Sequence, residues 1–316
     1  MSDSSVTVAV VGMGEIGRGW AALCVAAGWP VWVFDHEERS TQSAVAEIGE
    51  RARRLVGLDR ANYQDVEDGI RSLRVGRSLL HACGDAQWII ESVQEDLITK
   101  QKLFESFESV APAARFVTSS TSTLLPKDIA ARCRRPDRVV VAHPMNPPEL
   151  IPLVELVPGP QAEVAQLEVL KGWLRALGRI PVTIRKPVPG NIAGRMEAAV
   201  WREAIDLVLN GVIDVDDLDR AVSVGPALAW AAAGPHLGYL LAAGKGNATG
   251  FLQQLIGLYE PLWAGLSTWS KLEPEKQKQI VSAIERTYHG QVEQIRMARD
   301  RRLAGILRGM EQARQG

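Results

Sequence analysis

Residues 6–20 read Val-Thr-Val-Ala-Val-Val-Gly-Met-Gly-Glu-Ile-Gly-Arg-Gly-Trp, and after an alanine-rich stretch residues 30–35 read Pro-Val-Trp-Val-Phe-Asp. A β-branched run thus ends in Gly12, Gly14 and Gly17, a helical pattern opens there, and a second apolar run ends in an acid, Asp35. A bare G-x-G-x-x-G is weak evidence. Placed between a strand and a helix, with an acid roughly 20 residues on, it is what a dinucleotide-binding turn requires. Gly12 permits the tight turn, Gly14 lets the backbone approach a pyrophosphate, and Gly17 lets the helix lie close on the strand. Met13, Glu15 and Ile16 complete the turn, and the helix N-terminus directs N–H groups and positive dipole at the phosphates. Asp35 is expected to accept hydrogen bonds from an adenosine ribose. Its charge favours NAD over NADP, while Arg39, one turn later, would suit the phosphorylated form.

Outward from this fingerprint, the first half alternates short apolar runs with helical patterns, the signature of βαβ units and a mainly parallel sheet. Strands are expected at Thr7–Val11, Val31–Phe34, Trp88–Ile90, Phe116–Thr118, Val139–Ala142, Leu153–Val157 and Val182–Ile184. A helix over Glu163–Leu177 is stopped by Gly178, and Lys186-Pro187-Val188-Pro189-Gly190 reads as a stiff linker. This predicts an α/β Rossmann-type NAD-binding domain over residues 1–187 and an all-α C-terminal domain over 188–316. The latter has helices at Ala193–Asn210, at Asp216–Ser223, and along an amphipathic stretch from Lys276. In that stretch Ile284, Tyr288, Val292, Ile295, Leu303, Ile306 and Met310 form an apolar face. The face packs on its own domain or on a second subunit; the pattern does not separate these.

Composition narrows the class. The 316 residues carry 36 Lys and Arg against 37 Asp and Glu, a net charge of −1, so no basic surface calls for nucleic acid or an anionic membrane. Cys24, Cys83 and Cys133 are widely spaced and lack a C-x-x-C, which argues against a disulfide framework or a metal site and for a reducing cytoplasm. The run Val6–Val11 is too short for a signal segment, and no stretch approaches the roughly 18 apolar residues of a spanning helix. Neither export nor membrane insertion is expected.

A second cluster falls where an open α/β sheet places its reactive groups, beyond the carboxyl ends of strands. One strand runs into Ser119-Ser120-Thr121-Ser122-Thr123 and another into His143-Pro144-Met145-Asn146-Pro147-Pro148. Glu155 lies within the apolar run Leu-Val-Glu-Leu-Val, where a carboxylate needs a partner, and His143 is the obvious one. Hydride transfer from a secondary alcohol needs a group to take the hydroxyl proton, and imidazole titrates nearest working pH. Glu155 would fix its tautomer and stabilise the imidazolium, while Ser122 and Asn146 would orient the substrate oxygen. Read singly, the Ser/Thr run is an ST-turn feeding a helix at Pro126, and the His–Glu pair a satisfied core contact.

These residues resemble the 3-hydroxyacyl-CoA dehydrogenase family. The pattern HPMNPPELIPLVELVPG over residues 143–159 is similar to a branch of it that includes L-gulonate 3-dehydrogenase (lambda-crystallin), carnitine 3-dehydrogenase and some polyketide ketoreductases. The resemblance carries the family's catalytic His onto His143, its orienting Glu onto Glu155, and its substrate-contacting Ser and Asn onto Ser122 and Asn146. IIESVQEDLITKQKLF, residues 89–104, places Glu91, Glu95 and Lys100 at matching positions, with Glu95 and Lys100 toward the cofactor. It implies NAD as cofactor, a small 3-hydroxy/3-keto acid as substrate, and a homodimer formed through a helical C-terminal domain that closes over the cleft. The chain departs from the family at Gly194, where a second substrate-contacting asparagine is usual and for which Asn191 is a nearby substitute. It departs again at Leu240 or Leu241 with Ala242 and Ala243, in place of a histidine and two glycines.

Three functions remain open at this point: a dehydrogenase of a 3-hydroxy acid, a biosynthetic β-ketoreductase on a bulkier polyketide-like or acyl-CoA substrate, and a nucleotide-binding protein without catalysis. Arg51-Ala52-Arg53-Arg54 would serve as a CoA-phosphate clamp or a solvated face. Trp201, Trp230, Trp263 and Trp269 would line a cationic or aromatic pocket, or fill a core.

Overall fold

The computed structural model describes residues 6–244 and 247–315. Its N-terminal part is built on one eight-stranded sheet: β1 (Val8–Val11), β2 (Val31–Phe34), β3 (Arg74–Val75), β4 (Trp88–Glu91), β5 (Phe116–Ser119), β6 (Val139–Pro144), β7 (Leu153–Pro158) and β8 (Ile180–Thr183). The spatial order is β3-β2-β1-β4-β5-β6-β7-β8, and every pairing is parallel except β6 with β7. Val8 and Val10 enter one apolar cluster with Trp20, Trp88 and Leu170, and Ala9 and Val11 enter another with Phe104 and Phe107. A strand buried on both faces has no polar side to show, which is why β1 reads as an unbroken apolar run. The seven expected strands are all present. The short β3 was not expected, because both of its residues are exposed and it carries no apolar run.

Helices α1 (Glu15–Ala26), α2 (Glu38–Gly57), α3 (Tyr63–Ser72), α4 (Leu79–Cys83), α5 (Leu97–Val110), α6 (Pro126–Ile129) and α7 (Val164–Ala176) complete this part. β1 lies between β2 and β4, so the crossovers diverge there and open a crevice beyond the strands' carboxyl ends. The side chain of Arg39 lies outside the described residues.

The chain divides into two compact units, one running to Arg195 and taking back Arg299–Leu307, the other comprising Met196–Ala298 and residues from Arg308 on. Among its described residues the second unit contains helices only: α8 (Ala193–Leu209, begun in the first unit), α9 (Val215–Val224), α10 (Pro226–Ala233), α11 (Pro235–Ala242), α12 (Ala248–Gly265), α13 (Pro274–Tyr288) and α14 (Val292–Gln315, of which Arg299–Leu307 belongs to the first unit). Helices α10 and α11 begin with Pro226 and Pro235, where a missing N–H costs nothing, so residues that look like breakers are starters. The stretch from Lys276 is two helices rather than one, broken where Gly290 takes a φ of 71°. Trp201, Trp230 and Trp263 are exposed, so they fill no core of the described chain, and Trp269 donates its indole N–H to Asp206 at 3.3 Å. No helix among the described residues is long and apolar enough to cross a membrane.

Candidate active site

The glycine turn is shaped by what surrounds it. Gly12 adopts a φ of +98°, and a Cβ there would lie 2.6 Å from the carbonyl carbon and oxygen of Ser92, so only glycine passes between the ends of β1 and β4. Gly14 precedes α1 without a side-chain cap, and a Cβ on it would meet nothing within 4 Å. The turn therefore leaves room beside Gly14, at the start of a helix whose first N–H groups lack intrahelical partners, as a dinucleotide pyrophosphate site needs. Asp35, at the end of β2, accepts from the Met13 N–H at 2.7 Å and the Glu37 N–H at 3.1 Å, and its Oδ1 lies 2.8 Å from His36 Nδ1. One carboxylate at the end of β2 thus holds the turn. The residues present fit NAD.

Beyond β4, Glu91 and Lys100 form a fully buried ion pair, Nζ to Oε1 at 2.6 Å. Ser119 Oγ donates to the other oxygen at 2.6 Å, the Val93 N–H donates at 2.7 Å, and Lys100 also reaches the Val93 carbonyl at 3.2 Å. Burial pushes the Glu91 carboxyl upward, against the pull of Lys100, Ser119 and Val93. Glu95 lies 3.5 Å from Lys100 and accepts from the Thr121 hydroxyl and from the Thr123 hydroxyl and N–H at 2.8 and 3.2 Å. Although burial acts to raise it, these hydroxyls and Lys100 hold Glu95 below the usual carboxylate range. Lys100 and Glu95 together brace the loop after β4 against the Ser/Thr loop after β5.

His143 and Glu155 are register partners across the antiparallel β6–β7 pair. Residues directly opposite share a face with close Cβ atoms, so the hairpin itself delivers the contact of His143 Nδ1 with Glu155 Oε2 at 3.0 Å. Glu155 is buried, and its second oxygen accepts from the Ile192 and Ala193 N–H groups at 2.8 and 3.0 Å. These N–H groups open α8 and follow two left-handed residues, Gly190 (φ 77°) and Asn191 (φ 51°). Sequence reading paired Glu155 with His143 but missed this second partner; a glycine followed by asparagine just before a helical pattern was its signal. Ser122 is tied to the same segment, its carbonyl accepting from the Gly190 N–H at 3.2 Å. Asn146 opens the connection between β6 and β7. Asn191 is buried with its amide Nδ2 unpartnered.

Arg51 is neither clamp nor solvated face. It is buried, with Nη2 2.6 Å from both Glu15 and Glu47 and Nη1 3.4 Å from the buried Glu149. Arg53 pairs with Glu67 at 2.8 Å and Arg54 with Asp300 at 3.3 Å. Burial pushes the Glu149 carboxyl upward, Arg51 opposes it, and Glu15 and Asp300 add to it.

The model of the family described as 3-hydroxyacyl-CoA dehydrogenase, NAD binding domain, matches residues 7–187. The chain is 35% identical over 288 residues to the L-carnitine dehydrogenase of Streptomyces griseus subsp. griseus, an overlap of 88% of this chain and 80% of that protein. It is 37% identical over 261 residues to the L-carnitine dehydrogenase of Burkholderia mallei, covering 82% and 80% respectively. Among solved structures it is similar to 5-formyl-3-hydroxy-2-methylpyridine 4-carboxylic acid 5-dehydrogenase, described as an NAD+-dependent dismutase. That likeness has a TM-score of 0.81 and 26% identity across 98% of this chain and 99% of that one.

Proposed function

The chain belongs to the 3-hydroxyacyl-CoA dehydrogenase family and is an NAD-dependent oxidoreductase of a 3-hydroxy substrate; on that premise we propose that it interconverts a free 3-hydroxy acid of the carnitine type with its 3-keto acid. The observation that carries the chemistry is the His143–Glu155 pair at 3.0 Å behind the glycine turn. When bound, NAD would supply the acceptor for the hydride that leaves the substrate's C3. His143 takes the hydroxyl proton on the ring nitrogen facing away from Glu155, and returns it in the reverse direction. Glu155 keeps the other proton on Nδ1 and stabilises the imidazolium. The Ile192 and Ala193 N–H groups fix the Glu155 carboxylate in direction. Ser122 and Asn146 orient the substrate oxygen. The nucleotide is bound by Gly12, Met13, Gly14, Glu15, Ile16 and Gly17, by Asp35 at the ribose and by Glu95, with Lys100 acting through Glu91 and Glu95.

The free-acid reading is supported by the relatives named above and by Arg51, whose engagement with three carboxylates leaves it unsuited to a CoA phosphate. A quaternary ammonium also suits Tyr239, Tyr259 and Trp263, whose ring centroids lie 5.7 and 5.9 Å apart, edge-to-face and tilted, in the second unit. A homodimer is supported by α10, α11 and α12, which bury none of their own residues and expose Leu237, Leu241, Leu258 and Leu262. The reducing cytoplasm suits its three free thiols, two of them buried.

The test follows NAD reduction with L-carnitine, and NADH and NADPH oxidation with dehydrocarnitine, 3-dehydrogulonate, acetoacetate, acetoacetyl-CoA and an aromatic β-ketoester. Turnover of a free acid with NAD(H) supports the reading. Turnover confined to acetoacetyl-CoA or to the bulky ketone would replace the substrate class.

A further inference from the structure

We propose that Arg51 and Glu149 are positioning residues that tie the pyrophosphate turn to the substrate loop, so that nucleotide and substrate strengthen each other's binding. The inference rests on the assignment of the glycine turn to NAD and of Asn146 to substrate. The loop from Met145 to Pro152 carries both Asn146 and, three residues on, Glu149. Its Pro148 and Glu149 lie directly on α1. A Cβ on Gly19 would stand 2.7 Å from Glu149 Oε2 and 2.7 Å from Pro148 Cδ. From α2, Arg51 reaches Glu15 in the first turn of α1 at 2.6 Å and Glu149 at 3.4 Å. Three side chains thus lead from the N–H groups offered to phosphate to the loop offered to substrate.

The loop responds as one body. Arg179, itself buried, donates to the Pro148 and Ile151 carbonyls at 3.0 and 3.1 Å, and the Leu150 and Ile151 N–H groups both close on the Pro147 carbonyl at 3.0 Å. Asn146 is joined directly to Pro147, the first residue of this bonded segment, and the proposed coupling passes from Glu149 to Asn146 through it. Stability alone does not account for the arrangement, because Glu15, Glu47 and the buried Glu149 share Arg51 and Arg18, which leaves one negative charge in surplus, and a buried ion pair of this kind rarely gains over apolar packing. Glu47 holds the Arg51 Nε at 2.9 Å as well as Nη2, which fixes the guanidinium between its two other partners. Binding at either end orders side chains that the other end also needs, which is positive coupling and is reciprocal.

The experiment measures the NADH Kd by quenching of protein tryptophan, with and without saturating L-carnitine, or whichever 3-hydroxy acid the wild type oxidises, which forms a dead-end ternary complex with NADH. In the wild type the hydroxy acid is expected to tighten NADH by about tenfold. In Glu149→Gln the ratio should fall below about twofold while Tm is kept or raised, a split that a merely structural role would not produce. Arg51→Lys, which keeps the charge and loses the fork, should lose the ratio too. Glu15→Gln should lose it without further loss in the Glu15→Gln/Glu149→Gln double variant. A wild-type ratio near one, a Glu149→Gln ratio like the wild type's, or additive losses in the double variant would overturn the clasp. A wild type that turns over no 3-hydroxy acid at all would instead overturn the functional assignment.

Discussion

A Cβ on Gly17 would stand 1.8 Å from the carbonyl oxygen of Gly12, whereas one on Gly14 would meet nothing within 4 Å. Two glycines of one motif therefore answer to different constraints, the first to the fold and the second to the ligand. Gly17→Ala should cost about 1–3 kcal/mol or more through forced displacement of the turn, seen as a lowered Tm. Gly14→Ala should keep its Tm and weaken NADH by about tenfold or more, because its methyl enters the phosphate's room. Undiminished NADH affinity in Gly14→Ala would remove the pyrophosphate from this turn.

Replacing the base should separate chemistry from binding. His143→Ala is expected to lower kcat by about 10²–10⁴ with the NADH Kd nearly unchanged, as read by steady-state kinetics beside fluorescence titration. Glu155→Gln keeps the shape but loses the charge that stabilises the imidazolium, so its kcat should fall in the same direction. Full activity in His143→Ala would send the search for the base elsewhere.

Glu149 should leave a mark on stability against pH. Burial raises its carboxyl in the folded state above the ordinary 4.5. Below that pH both states hold the proton and nothing changes. Above it the unfolded state releases the proton first, the folded state retains more, and stability falls with rising pH until the folded carboxyl also ionises. Glu149→Gln lacks this decline and should gain on the wild type as pH climbs from about 4.5, measured by urea unfolding across that range. A difference that does not vary with pH would contradict the burial effect.

The uncovered apolar face of α10–α12 should hold the dimer. Leu241→Glu places a charge on a residue that is 64% exposed in the single chain. The wild type should elute at twice the chain mass in light scattering and the variant at the chain mass, with its helical circular dichroism intact. A wild-type monomer would leave the face for another partner.

The thiols should be silent until the protein unfolds. Burial pushes Cys24 and Cys83 up to about 12 and Cys133 to about 11. A disulfide reagent at about pH 8 should therefore label none quickly in the native protein and all three in denaturant.

Legibility in the sequence followed the strength of the local signal. The sheet was readable because doubly buried strands show as unbroken β-branched runs, and the contact of Glu155 with His143 because a carboxylate in an apolar run needs a partner. What escaped reading depends on tertiary neighbours. Arg51 sits in a run of arginines that looks like a wet helix face, and only the fold brings Glu15, Glu47 and Glu149 around it. The α10–α12 helices hid behind Pro226, Gly234 and Pro235, and the break between α13 and α14 behind a continuous apolar periodicity that Gly290 interrupts. Gly190-Asn191 signals a left-handed turn, but only the fold aims the two N–H groups that follow it at Glu155.

That last contact bears on how the chain could be recombined. The carboxylate behind His143 is held by the first N–H groups of the helix that continues into the second unit. A chimera that joined this nucleotide module to a foreign helical module at the proline-rich linker would discard the grip on Glu155 along with the old substrate preference. A crossover placed after Ala193 would carry the dyad whole, and new specificities could be grafted without rebuilding the chemistry.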